Sequence, residues 1–351
     1  MRMMTKPLAC AALACTVLAL LSLAGMLTAG AVQAEDVPGA GREVKLARPT
    51  WDTGWFQTEI YRKGLEALGY RVPAALTLDV SPFYQAVAQG DVDLWVDGWF
   101  PLHEPYRSSF EPGAGEVGYV AKAGALQGYL IDKKTADAYH IKTLDDLKKP
   151  EIAKLFDTDG DGKADMVACP PGWACELAIA HHFQVFGLGD YIKPVKASYS
   201  ASMADAIARF KEGKPILYYT WTPNWTAALL KPGRDVVWLE VPAKAIPGQT
   251  LTDEDKAIAP GIVGCVEEPC RMGFAPNDIR PVVNKVFLKD NPAVAKLLNE
   301  IAIPLPDIYA ENAEMYNGEN KQADIERHAQ AWIDAHAADW AKWIAAAKAA
   351  R

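Results

Sequence analysis

The chain has 351 residues, 50% of them hydrophobic and 23% charged, with a formal net charge of −8 at pH 7. That length exceeds one comfortable hydrophobic core, so two lobes are the default expectation. The acidic balance, without any Lys/Arg stripe, excludes nucleic acid as a natural partner.

In chain order, Arg2 and Lys6 precede an apolar run from Leu8 to Leu27, and Val32-Gln33-Ala34 places small residues at −3 and −1 of a cleavage site before Glu35. Residues 1–34 therefore read as a signal peptide, removed on export. A retained membrane anchor is the alternative, because the run is near the minimum spanning length. Cys10 and Cys15 fall inside this segment, leaving Cys169, Cys175, Cys265 and Cys270 for the mature chain. In an oxidising compartment the local pairs Cys169–Cys175 and Cys265–Cys270 are favoured among three pairings, since each closes a short loop around Pro or Gly. A zinc site is the rival, weakened by spacing that is not C-x-x-C.

Glu43 to Ala47 alternates as a strand, 48–54 reads as a turn, Trp55 to Leu68 as an amphipathic helix ending at Gly69, and Tyr70 to Val72 as the next extended segment. This is a βαβ start, and α/β sheets bind ligands at the carboxyl ends of their strands. Trp51 lies in such a loop, as a lid over core or as a ligand contact. Pro82 to Gln89 forms a short helix stopped by Gly90, and Asp91 to Gly98 forms a strand that delivers Trp99 and His103 at its end. Taken singly, both residues have bland explanations in packing. Gln127 to Asp132 is a further strand, where the chain crosses to a second lobe, and Thr143 to Lys149 is a capped helix that Pro150 ends. The expected division is lobe A, 35–128 with 245–351, and lobe B, 129–244.

Asp157, Asp159, Asp161, Gly162 and Asp165 fall at positions 1, 3, 5, 6 and 9 of a calcium loop. Position 12 is Ala168 where a bidentate Glu belongs, so a self-capping Asp/Gly turn is the stronger reading and a structural calcium ion the weaker. Next comes CPPGWACE at 169–176, in which a Trp fixed between prolines and a glycine opens an apolar run, 175–186. Leu177, Ala180, His181 and Gln184 recur there at helical spacing, with Glu176 in the first turn. An aromatic plane beside a helix N-terminus suits a greasy cation on one side and a carboxylate on the other.

Ser202 to Lys211 reads as a helix, and Pro215 to Thr220 as a buried strand that delivers Trp221 and Trp225. Asp235 to Val241 is a strand near the return crossing, and 242–280 is rich in Pro and Gly. From Asn291 the chain is mostly helical, with Ile325, Trp332, Ile333, His336, Trp340 and Ile344 on one apolar face.

Trp99, Trp173 and Trp221 thus share one context, a loop or turn at the binding edge of an α/β lobe. Three indole faces would make a box for a methylated ammonium, at roughly 0.5–2 kcal/mol per face. That falls short of the ~8 kcal/mol of micromolar binding. A second anchor is needed, and His103 with the N–H groups of Ala174 and Cys175 could supply it by holding a carboxylate.

These residues carry a family resemblance over nearly the whole mature chain. Trp99-x-Pro-Leu-His103, ALQGYLIDKKTAD at 125–137, KLFDTDGDGKAD at 154–165, CPPGWACE at 169–176 and KEGKPILYYTWTPNW at 211–225 resemble the periplasmic glycine betaine/proline betaine-binding proteins of osmoprotectant ABC transporters. The resemblance implies a two-lobe periplasmic-binding-protein fold (type II) with the ligand in the cleft between lobes. It also implies a periplasmic, non-enzymatic protein that needs no cofactor and hands glycine betaine or proline betaine to an ABC permease and, through it, its ATPase. The family's Trp box matches Trp99, Trp173 and Trp221, its carboxylate contacts match His103 and the N–H groups of Ala174 and Cys175, and its disulfide matches Cys169–Cys175. Ala174 replaces a family Gly, the loop of Cys265 and Cys270 departs from the pattern, and Trp51 falls in a segment that is polar in a close relative. Trp51 is therefore a candidate addition to the pocket. Two other readings use the same residues: a receptor-coupled sensor for choline, carnitine or another methylated ammonium, and a secreted hydrolase built on His103 or His181-His182. The hydrolase has no G-x-S-x-G or H-E-x-x-H motif behind it.

Overall fold

The computed structural model describes residues 37–241 and 257–350. The expected signal peptide at 1–34 and the return crossing at 244/245 lie outside the described residues. Among those described, no helix is long and apolar enough to cross a membrane.

The first elements are β1 (Ala47–Pro49), α1 (Trp55–Ala67) and β2 (Leu76–Leu78), with β1 and β2 paired in parallel. The βαβ start is present but displaced. Glu43 and Leu46 make only isolated bridges, to Arg71 and Leu94, and regular pairing begins at Ala47 and continues through Arg48 and Pro49. A two-stranded edge tolerates a proline because no further neighbour needs its missing N–H. Helix α2 (Val80–Gln89) ends at Gly90, where φ is +84° and the backbone N–H returns to the Ala86 carbonyl. A left-handed cap of this kind is what glycine permits.

The remaining strands are β3 (Leu94–Phe100), β4 (Ala114–Glu116), β5 (Ala121–Asp132), β6 (Ala164–Val167), β7 (Ile192–Val195), β8 (Leu217–Thr222), β9 (Val236–Trp238), the short pair β10 (Ile258–Ala259) and β11 (Cys270–Arg271), and β12 (Asn277–Asn284). Apart from the two short pairs they form one sheet in the order β3-β12-β5-β8-β6-β7, with β4 on β12 and β9 on β5. Strand β5 is twice as long as the sequence pattern indicates. Its first part pairs antiparallel with β12, Ala121 opposite Ile279, and its second part with β8 and β9, Gln127 opposite Trp221 and Leu130 opposite Trp238. Strand β6 then lies parallel to both β8 and β7. The architecture is α/β, two lobes on one curled sheet, and β3 and β8, the strands that carry Trp99 and Trp221, are fully buried along their lengths.

Three local expectations need correction. The segment 144–148 is a 3-10 turn with a capping box from Thr143 and Asp146, and Pro150 begins a new helix, Pro150–Phe156, at the position where its missing N–H costs nothing. The Ala174–Phe186 helix buries Ala174, Cys175, Ala178, Ile179, His182 and Phe186, whereas Leu177, Ala180 and Gln184 face solvent. Packing favours the small residues, which let the helix sit close to the sheet, over the more hydrophobic Leu177. The C-terminal apolar face is divided between two helices, Gln322–Ala335 and Ala337–Ala349. They break at His336, whose ring stacks on Trp332 at 4.1 Å. Both local disulfides are present, with Cα–Cα distances of 5.9 Å for Cys169–Cys175 and 5.6 Å for Cys265–Cys270. The zinc reading is thereby overturned, since all four cysteines among the described residues are paired.

Candidate ligand-binding site

Each tryptophan reaches the site by a different local device. Trp99 sits near the end of β3 and Trp221 near the end of β8. Trp173 is the N-cap of the Ala174–Phe186 helix and has an extended backbone. It follows Gly172, whose φ is +92° and where a β-carbon would lie 2.9 Å from the Asp79 carboxylate, so this turn requires glycine twice over. Trp51 precedes the 3-10 turn Asp52–Gly54. All four, with Leu102, His103, Gln127, Ala174, Cys175 and Tyr219, line one cavity.

Neighbouring walls meet edge to face. Trp51 and Trp173 have ring centroids 5.5 Å apart at 71°, and Trp173 and Trp221 are 5.5 Å apart at 81°. Such near-perpendicular pairs form the corners of a box instead of a stack, and they are the favoured arrangement of aromatic quadrupoles. Polar edges hold the walls in place. Trp173 Nε1 donates to Thr50 Oγ1 at 2.9 Å, Trp221 Nε1 to Thr53 Oγ1 at 3.3 Å, and Trp51 Nε1 to Asp97 Oδ2 at 2.5 Å.

The polar end of the cavity is a set of donors. His103 is buried, and burial pushes its pKa down to about 3, so the ring is neutral at pH 7. Its Nδ1 accepts from the backbone N–H of Trp99 at 3.3 Å and lies 2.7 Å from the Tyr84 hydroxyl. A nitrogen that accepts from a backbone N–H carries no proton, so the single ring proton is on Nε2, which is left as a donor. The N–H groups of Ala174 and Cys175 lie in the first turn of their helix, where the helix itself offers no acceptor, and the Trp173 side chain does not cap them. The N-terminal dipole adds to their pull on an anion.

Sequence reasoning missed three residues here. Gln127 is buried, its Oε1 accepts from the Tyr219 hydroxyl at 2.6 Å, and its Nε2 has no protein partner among the described residues. A lone amide in the apolar run QGYLID is the signal that could have found it, and the structure sets it directly opposite Trp221. Asp97 is fully buried beneath Trp51 and shares a face of β3 with Trp95 and Trp99 by strand alternation. Its pKa is raised to about 7 by burial, against the pull of the Trp51 and Trp99 indoles. Tyr219 was hidden by the same apolar pattern that made β8 legible.

Other sequence candidates lie elsewhere. Trp225 stacks on Tyr316 at 4.6 Å, outside the cavity lining. His182 is buried with Nδ1 2.8 Å from the Tyr129 hydroxyl, a core arrangement in which no carboxylate among the described residues pairs with it. In the acidic loop, Asp157, Asp159 and Asp165 do bring carboxylates together. However, Lys193 Nζ reaches all of Asp159, Asp161 (2.8 Å) and Asp165 (2.9 Å), while Asp157 accepts from the N–H groups of Gly160 and Gly162. Lys193 thus already pairs with two of the three clustered carboxylates, Asp159 and Asp165.

With this geometry established, likeness to known proteins is informative. The model of the substrate-binding domain of ABC-type glycine betaine transport systems matches residues 42–335. The glycine betaine-binding periplasmic protein OusX of Dickeya dadantii is 43% identical over 92% of this chain and 94% of its own length. The glycine betaine/proline betaine-binding periplasmic protein of Salmonella typhimurium is 42% identical over 91% of this chain and 94% of its own. Among solved structures, lactococcal OpuAC in its closed, glycine betaine-liganded conformation aligns with a TM-score of 0.63 at 21% identity, covering 86% of this chain and 99% of that one. An ABC-transporter choline-binding protein in complex with choline gives a TM-score of 0.64 at 20% identity, covering 88% and 97%. These two structures establish the shared fold.

Proposed function

The chain belongs to the family of substrate-binding domains of ABC-type glycine betaine transport systems, and on that premise we propose that its four-indole cavity captures glycine betaine or a related quaternary ammonium. The observation that carries the reading is the pairing of aromatic corners at Trp51, Trp173 and Trp221 with the neutral, Nε2-protonated His103 in one cavity. A trimethylammonium group has no N–H to donate and a diffuse charge, so it is held by several π faces at once. Trp51, Trp99, Trp173 and Trp221 supply them. The carboxylate of the same molecule accepts from His103 Nε2 and from the N–H groups of Ala174 and Cys175, with Gln127 Nε2 as a further donor.

The two ends of the ligand call on elements far apart in the chain. We assign them to lobes of residues 35–128 with 245–351 and residues 129–244, a division supported by the change of partners midway along β5. Capture then closes the cleft. Delivery is to a membrane permease and its ATPase, after export of the chain to the periplasm and removal of residues 1–34. The roles assigned to the cavity residues involve no bond making, and no cofactor enters them.

Tryptophan fluorescence titrated with glycine betaine tests the reading, since the four indoles surround the site. A saturable change at micromolar ligand is expected. No change at millimolar glycine betaine, choline or carnitine would sink it.

A further inference from the structure

We propose that Asp97 is the buried counter-charge for the ligand's ammonium, a specificity residue that acts through Trp51 without touching the ligand. This rests on the reading of the cavity as a quaternary-ammonium site. Asp97 has no exposed surface and no Lys or Arg pairs with it among the described residues. An ionised carboxylate in that position is costly unless a cation comes near. Two indoles that line the cavity adjoin it, Trp51, whose Nε1 donates to Asp97 Oδ2, and Trp99, two residues on along the same face of β3. The turn is moulded to this contact, because a β-carbon at Gly54 would lie 2.4 Å from Oδ2. The missing positive charge is therefore the one that the box is shaped to receive.

The surrounding groups do not substitute for it. From the turn, Asp52 is also an acid, raised by burial. From the loop after β3, His103 is neutral and Glu104 is paired with Arg107. From α2, Tyr84 is held far above its usual range by burial. On β12, Asp278 accepts from the Ala123 N–H, and Arg280 is opposite Gly98, on the other face of the sheet from Asp97, and is paired with Glu116. A bound cation favours the ionised form of Asp97, so by linkage binding releases a proton near neutral pH and tightens as pH rises. Each unit by which the ligand lowers the Asp97 pKa corresponds to roughly tenfold in affinity between the two ends of the titration.

The test is calorimetry of the mature chain with glycine betaine and with choline at pH 5.5 and 8.5, in buffers of different ionisation enthalpy, for wild type and Asp97→Asn. The expected result is wild-type binding on the order of three- to tenfold tighter at pH 8.5, with proton release around pH 7 for both ligands, and Asp97→Asn flat across this range. Choline lacks the carboxylate, so its sharing the effect places it at the ammonium end. Wild-type binding with no proton release and no pH dependence would overturn this inference alone, as would a pH dependence unchanged in Asp97→Asn. Should that variant fail to fold, the wild-type proton release decides by itself. A wild-type chain that binds neither ligand overturns the reading of the cavity and this inference with it.

Discussion

The indole Nε1 of Trp173 donates to Thr50 Oγ1 at 2.9 Å, tying the wall that opens the Ala174–Phe186 helix to the turn after β1. Trp173 therefore contributes twice, by its face to the box and by its edge to the junction. Trp173→Ala removes both and is expected to weaken glycine betaine binding at least tenfold, consistent with a cation–π face worth up to ~2 kcal/mol plus the lost edge contact. Trp173→Phe keeps a face and loses the edge, so its loss is smaller. Calorimetry distinguishes them, and unchanged affinity in Trp173→Ala would rule out a box at this position.

The disulfide Cys169–Cys175 closes the loop that carries Trp173 and ends at the two cavity N–H groups. In the chain-entropy view a loop this short is stabilised by about 2 kcal/mol on cross-linking. Reduction frees the loop, so affinity for glycine betaine is expected to fall several-fold while the far-UV spectrum is kept. Equal affinity with and without reductant would show that the helix alone fixes the loop.

Gln127 is expected to distinguish the two ends of the ligand. Its unpartnered Nε2 can donate to a carboxylate but gains nothing from a methylated ammonium. Gln127→Ala is expected to weaken glycine betaine by about 1.5–3 kcal/mol, the value of a hydrogen bond to a charged group, and to leave choline within a factor of two. Equal losses for both would mean that Gln127 only props up Trp221 across the strands.

Much of this site was legible in the sequence because it rests on short-range chemistry. Strand ends, a glycine-fixed turn and a helix start announce Trp99, Trp173 and Trp221, and local spacing announces both disulfides. What was not legible depends on register across distant strands. Gln127 matters because it is opposite Trp221, and Asp97 because the turn of Trp51 folds down over it. The same limit explains the helix face at 174–186, where hydrophobicity favoured Leu177 and close packing chose Ala174 and Ala178. It also explains Lys193, a lone lysine on β7 that no pattern links to the acidic loop.

That lysine gives a test of the calcium loop. In the wild type its ammonium already balances Asp159, Asp161 and Asp165, and it lowers the pKa of Asp161. Millimolar Ca²⁺ is expected to leave the melting temperature unchanged. Lys193→Ala leaves the carboxylates facing one another, so it melts lower and regains stability with Ca²⁺. A wild type stabilised by Ca²⁺ would show that the ion displaces the lysine.

His328 supplies a pH dependence of stability. Its Nδ1 is 2.8 Å from Glu311 Oε1 and its Nε2 2.7 Å from Glu319 Oε2. Burial works against the charge, but the two carboxylates outweigh it and raise the pKa. A raised histidine binds its proton more tightly folded than unfolded. Its stabilisation is therefore complete below the unfolded value of about 6.5 and is lost as pH rises through the folded one. The buried His103 and His182, both lowered to about 3, act in the opposite sense, losing their contribution as pH falls below the unfolded value. They are common to wild type and variant, so a comparison isolates His328. Between pH 6 and pH 8.5 the wild type should lose more in melting temperature than His328→Gln. Parallel melting curves for the two proteins across that range would mean that His328 is neutral in the folded state, with its two carboxylates held by Arg327 and solvent instead.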